Sequence, residues 1–157
     1  MPEAHLFYHI GRAYQALEDK QRAVEFFEKS AAESKPHPQM AYYQGLALQK
    51  LNRAEEADQK FRSLLDAGQQ ILLSVAAAEK GTATRIFETS VPTLSVLNDD
   101  PVLYTQMEGH YLLGLGYMGC KKMAEAAAEF TKVLEMDGCH FGAKTQLERI
   151  QTGKGNP

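Results

Sequence analysis

The chain has 157 residues, 44% of them apolar and 24% charged, with a formal net charge of −3 and scattered basic residues. These values are ordinary for a folded domain, leave no basic footprint for nucleic acid or an anionic membrane surface, and include no apolar run near the ~20 residues that span a bilayer. Two cysteines, Cys120 and Cys139, fall at different ends of one predicted hairpin, which favours a reducing, cytoplasmic location over a disulfide framework.

In chain order, Pro2 and Glu3 open a helix predicted to run to about Leu17, with Glu18-Asp19-Lys20 as its turn. The start has neither the basic region nor the continuous apolar stretch of a secretory signal. A second helix carries Ala23, Val24, Phe26, Phe27 and Ala31 at helical spacing. Lys35-Pro36-His37-Pro38 stops it, because proline disfavours helix at the residue before it. A third helix is expected from about Gln39 to Leu51 and a fourth from about Ala54 past Phe61, Leu64 and Leu65, ended or crossed by Gly68. Residues 69–98 lose the pattern of what precedes, yet are too apolar for a solvated linker. They are expected to form a degenerate helical hairpin, with an inserted loop closing over a groove as the alternative. Asp100-Pro101 offers an N-cap and a first-turn proline for the next helix. That helix is expected to reach about Gly119, which is assigned to a turn. A helix over 124–135 follows, stopped at Asp137-Gly138. The last amphipathic segment, 141–150, is expected to put Leu147 and Ile150 inward and Lys144, Glu148 and Arg149 in water. The tail 152–157 is expected to be disordered.

Under these elements lies a repeat. Gly11, Ala23 and Phe27 recur as Gly45, Ala57 and Phe61, each displaced by 34 residues, and again as Gly114, Ala126 and Phe130. Tyr14/Leu48/Tyr117, Ile10/Gln44/Leu113 and Ser30/Leu64/Val133 keep the same register. A fixed period of this length means stacked supersecondary units, none able to bury its apolar face alone. Glycine and alanine fit where two antiparallel helices cross closely, and the aromatic fills the space beside them. Gly45 and Gly114 are two periods plus one residue apart, which would keep a degenerate hairpin in step with the stack.

This pattern resembles the tetratricopeptide repeat (TPR). The resemblance implies an all-α, right-handed superhelical solenoid of antiparallel helix hairpins with a C-terminal capping helix. One domain over 1–151 is expected, with repeats at about 4–37 and 38–68, a degenerate hairpin at 69–99, a repeat at 100–138 and the cap at 140–151. The order of Ala41-Tyr42-Tyr43-Gln44-Gly45-Leu46-Ala47-Leu48, Phe87-Glu88-Thr89-Ser90-Val91-Pro92, His110-Tyr111-Leu112-Leu113-Gly114 and His140-Phe141-Gly142-Ala143 is similar to the C-terminal TPR tail of a bacterial family. The N-terminal part of that family is β-rich and carbohydrate-enzyme-like. By that resemblance the chain is a truncated or free-standing relative.

No phosphate-binding glycine loop, Cys-x-x-Cys pair or nucleophile elbow occurs, so no enzyme activity and no cofactor is expected. His5 and His9 are four apart, as metal ligands on a helix would be, but no third ligand matches them, and no metal is expected. Binding remains. The resemblance implies that the first helix of each hairpin lines a concave groove for a protein or peptide segment, or for a second copy of this chain. The residues turned to it are His5, Tyr8, His9 and Arg12, then Tyr42 and Tyr43, then Tyr111 and Leu115. Tyrosine and arginine are enriched at interaction hot spots, although tyrosines here also suit packing against a neighbouring helix. The lysine and asparagine of the chaperone-binding carboxylate clamp are replaced by Tyr8, Arg12 and Tyr43.

Overall fold

The computed structural model describes residues 3–34, 38–79 and 101–153, and every regular element among them is a helix. In chain order these are α1 (Ala4–Ala16), α2 (Lys20–Ala32), α3 (Met40–Lys50), α4 (Ala54–Glu79), α5 (Pro101–Gly119), α6 (Met123–Met136) and α7 (Phe141–Gln151). They form an all-α TPR-like stack in which α1/α2, α3/α4 and α5/α6 are the hairpins. Their first helices adjoin, α1 to α3 and α3 to α5, while each second helix packs on the first helix of the hairpin after it. No helix among the described residues is long and apolar enough to cross a membrane.

The repeat extends into the backbone. Glu18, Asn52 and Lys121, one per hairpin turn, all have φ near +60°. At each turn the residue after this one donates its N–H to a carbonyl five back, from Asp19 to Tyr14, Arg53 to Leu48 and Lys122 to Tyr117. The left-handed residue itself donates three back, to Gln15, Gln49 and Met118. This paired closure satisfies carbonyls that a helix end leaves without partners. Of the three residues only Asn52 is a type that tolerates the left-handed region readily. At the start of α2, the Asp19 side chain accepts the Arg22 N–H at 3.1 Å and caps the helix.

The glycine, alanine and phenylalanine slots lock each hairpin. A methyl group added at Gly11 would lie 2.7 Å from the Phe27 ring, one at Gly114 would lie 2.5 Å from Phe130, and one at Gly45 would overlap Phe61. Ala23, Ala57 and Ala126 are buried beside them. Gly119 corrects the expectation of a turn. It ends α5 as a buried helical residue, and a methyl group there would overlap Phe61 more severely than one at Gly45. Phe61 is thus clamped between the glycine of its own hairpin and a glycine of the next.

The boundary expected at residue 69 is also corrected. α4 runs without interruption through Gly68 to Glu79, so residues 69–79 continue it. α5 then packs directly along α4. A methyl group on Gly68 would meet the Gly109 carbonyl at 2.8 Å, one on Gly109 would meet Leu72 at 2.8 Å, and one on Gly116 would meet Leu65 at 2.7 Å. Those three contacts span about two turns of each helix, and no hairpin layer fits between them. The spacing between Gly45 and Gly114 therefore comes partly from a lengthened α4 and α5. Residues 80–100, with the expected Asp100 cap, lie outside the described residues.

Candidate functional site

The first helices carry the residues expected to form the binding wall, and burial divides them. Tyr8, Tyr42 and Leu115 are essentially inaccessible, at 0%, 1% and 2% exposure. They are corrected from binding residues to core. Tyr8 packs on Phe27 at 5.8 Å, Tyr42 on Phe61 at 6.2 Å and Tyr111 on Phe130 at 5.8 Å between ring centroids. These tyrosines are displaced by the same steps as the glycines, 34 residues and then two periods plus one. They are a further repeat slot, and that shared register was the signal for a packing role. Burial pushes the Tyr8 and Tyr111 hydroxyls up to about 12 and raises that of Tyr42 as well.

What remains accessible is a compact aromatic and cationic cluster. His5, His9 and Arg12 are exposed on α1, and Tyr43 and Tyr111 are half-buried. Tyr43 is the hub, with ring centroids 5.9 Å from His5, 5.7 Å from His9, 6.0 Å from Tyr8 and 5.5 Å from Tyr42. His5 and His9 therefore serve as ring partners of α3. Among the described residues no group of three or more His, Cys, Asp or Glu is arranged to hold a metal.

α7 supplies a group expected from its helical face to lie in water. The His140 Nδ1 accepts the Ala143 N–H at 3.1 Å and caps this helix, and the His140 ring lies 5.0 Å from Tyr111. At Gly142 the helix comes so close to Tyr111 that a methyl group would lie 2.6 Å from its hydroxyl. Gly142, Gln146 and Arg149 recur at four and then three residues, a single helix face. Gln146 is buried and Arg149 half-buried, the Arg149 Nη1 donating to Gln146 Oε1 at 3.4 Å. Lys144 and Glu148 face solvent as expected, and Leu147 and Ile150 join the core. Arg149 instead is half-buried, on the face of α7 that carries Gly142 and Gln146. Its guanidinium pulls down the hydroxyl pKa values of Tyr8, Tyr42, Tyr43 and Tyr111 against the stronger upward push of burial. α1, α3 and α5 thus adjoin in turn, and the start of α7 borders them at Tyr111.

Beside Tyr111 the same surface opens into a cleft of about 380 Å³ between the start of α3, the first half of α5 and the α6–α7 turn. Gln39, Tyr104, Glu108, Asp137 and His140 line it together with Tyr111. Behind it, the His110 Nδ1 lies 2.6 Å from Glu129 Oε2 and ties α5 to α6.

Comparison with known proteins fits the fold. Residues 4–35 match the family model described as Tetratricopeptide repeat. No curated protein matches the chain. Among solved structures, the first TPR of Spaghetti (RPAP3) bound to HSP90 peptide SRMEEVD is similar at 14% identity and a TM-score of 0.35, over 97% of this chain and 93% of that one. At that score the likeness bears on neither the curvature nor the ligand of this chain.

Proposed function

We propose that this protein is a non-catalytic interaction module that holds a peptide segment of a partner protein against α1, α3 and α5, beside the edge formed by α7. The observation that carries this reading is the accessible row of His5, His9 and Arg12 on α1, Tyr43 on α3 and Tyr111 on α5, three first helices that adjoin in turn. Tyr43 and Tyr111 also serve the packing, but both stay partly accessible, and His5, His9 and Arg12 are exposed beside them. Large, rigid rings beside a planar donor fork are the chemistry of interaction hot spots. The cleft next to Tyr111 extends the surface toward the ~800 Å² per partner of a standard interface. A cytoplasmic setting accords with Cys120 and Cys139, both free thiols.

The test is affinity capture with a surface variant that spares the core. His5→Ala combined with Arg12→Glu alters two exposed residues, whereas Tyr43→Ala would remove the hub of the ring cluster. The double variant is expected to lose the partners captured by the unaltered protein, while Arg62→Glu on the exposed side of α4 keeps them. Retention of every partner by the folded double variant would reject the groove. A second copy of this chain is the other candidate occupant, and sedimentation of the same variants reads it out. A second reading, an accessory domain of a larger bacterial carbohydrate-active enzyme, is supported by the order of motifs from Ala41 to Ala143. A long coding region upstream of Met1 would favour it.

A further inference from the structure

The cleft beside Tyr111 pairs rings with carboxylates. Tyr104, Glu108 and Tyr111 of α5, Asp137 at the α6–α7 turn and His140 before α7 surround about 380 Å³, with the buried Met107 as apolar lining. No lysine or arginine lines it among the described residues. The His140 ring adds no charge, because its Nδ1 accepts the Ala143 N–H at 3.1 Å and carries no proton while that cap is made. Neither Glu108 nor Asp137 takes part in a salt bridge among the described residues, where Asp19, Glu25, Glu28, Glu56 and Glu129 all do.

The walls are set before any ligand arrives. Tyr111 is held by the His140 ring at 5.0 Å and by the close approach of Gly142, and Asp137 Oδ1 accepts the Cys139 N–H at 2.9 Å. The repeat does not call for an acid at 108, since His5 and Gln39 hold the same place in the first two hairpins. Glu108, Asp137 and His140 do not form a group able to hold a metal. Carboxylates beside flat rings suit instead an organic cation, whose charge faces the acids while its apolar stem and its own face lie on the aromatics. Elsewhere the chain makes such contacts itself, with Lys29 at 4.6 Å from the Phe26 ring and Arg22 at 5.5 Å from that of Tyr14. Among the described residues no lysine or arginine faces Tyr111 in that way.

We infer that, given the groove reading above, this cleft receives a basic side chain of the bound segment, its cation toward Glu108 and Asp137 and its stem against Tyr104 and Tyr111. The volume is near the lower end of the ~300–1,000 Å³ of ligand pockets, room for one long side chain. Arginine fits it best, because a planar fork matches a carboxylate and stacks on a ring. The segment is thereby anchored at the α5 end of the row.

A positional-scanning library of N-acetylated, C-amidated octapeptides tests this, with binding read by fluorescence anisotropy at low and at physiological ionic strength. The expected result is selection of Arg or Lys at one position, weakening with salt. Glu108→Gln combined with Asp137→Asn is expected to reduce binding of the selected peptides about tenfold, the worth of two partly exposed ion pairs. Glu108→Lys in the Asp137→Asn background is expected to exchange the basic preference for Asp or Glu, which no packing role would do. Melting by circular dichroism verifies folding. Should the changes at Asp137 disturb the turn, Glu108→Gln alone, at an exposed residue, is expected to cost about threefold. Library binding that is lost in His5→Ala/Arg12→Glu, but has no basic preference or keeps it undiminished in these variants, overturns the subsite and leaves the groove reading standing. Failure of every basic member to bind also overturns the subsite, while the groove reading is judged separately by partner capture.

Discussion

Phe61 is the residue on which this stack turns. It is fully buried, with Gly45 of its own hairpin on one side, Gly119 of the next on another, and the Tyr42 ring 6.2 Å away. Any side chain at either glycine must displace an aromatic ring packed on several sides, so Gly45→Ala and Gly119→Ala are each expected to destabilise by about 1–3 kcal/mol, the usual cost of overpacking. Gly138→Ala is the control, since an added methyl group there finds its nearest neighbour 3.8 Å away, and it is expected to leave the melting temperature nearly unchanged. Equal melting temperatures for Gly119→Ala and Gly138→Ala would contradict this packing. The repeat in the sequence marks Gly45 because it recurs. Gly119 does not recur, since Lys50 holds the corresponding place in α3, and its contact with Phe61 crosses from one hairpin to the next.

At the scale of elements, α4 breaks the rhythm. It has 26 residues where α2 has 13 and α6 has 14, and the extra turns pack on the lengthened start of α5. Gly68 is read from sequence as a candidate stop, because glycine costs about 1 kcal/mol relative to alanine inside a helix. The tertiary contact reverses that preference. Without a side chain at Gly68 and Gly109, the two backbones approach closely enough for Leu72 and Leu113 to fill the seam. Amide hydrogen exchange is expected to show protection continuing from residue 64 through residue 75, because each N–H remains in the helix ladder and Val75 is buried. Fast exchange beginning at Gly68 would mean that the helix ends there, as a hairpin boundary would require.

For the whole molecule, the decisive geometry is the approach of the last helix to Tyr111 of α5, which leaves Arg149 near enough for its charge to act on His9 of α1. Partial desolvation of the otherwise exposed His9 ring lowers its pKa below the ordinary value of 6.5, and Arg12, Arg149 and His5 lower it further. The sign follows. The stability contributed by neutral His9 is present above the unfolded value and is lost as the pH falls through the lower folded value, because the unfolded chain takes up the proton first. An NMR titration of the His9 ring is expected to give a midpoint below 6.5 that rises toward it in Arg149→Gln. An unchanged midpoint in that variant would separate α7 from α1.

The sequence by itself determined the helical hairpins, their number of signature copies and the Gly–Ala–Phe lock. These follow from spacings within about 34 residues, where a helix period and a close crossing leave little freedom of residue type. It also held the packing role of Tyr8, Tyr42 and Tyr111, since their register matches that of the glycines. Only the tertiary structure decided which rings stay accessible, that Gly119 grips Phe61, that α4 runs on to meet α5, and that Arg149 is half-buried beside Gln146. Each of these depends on contacts between different hairpins or with the final helix. Helical periodicity assigns a residue to a face, but the stacking of other helices decides what that face meets.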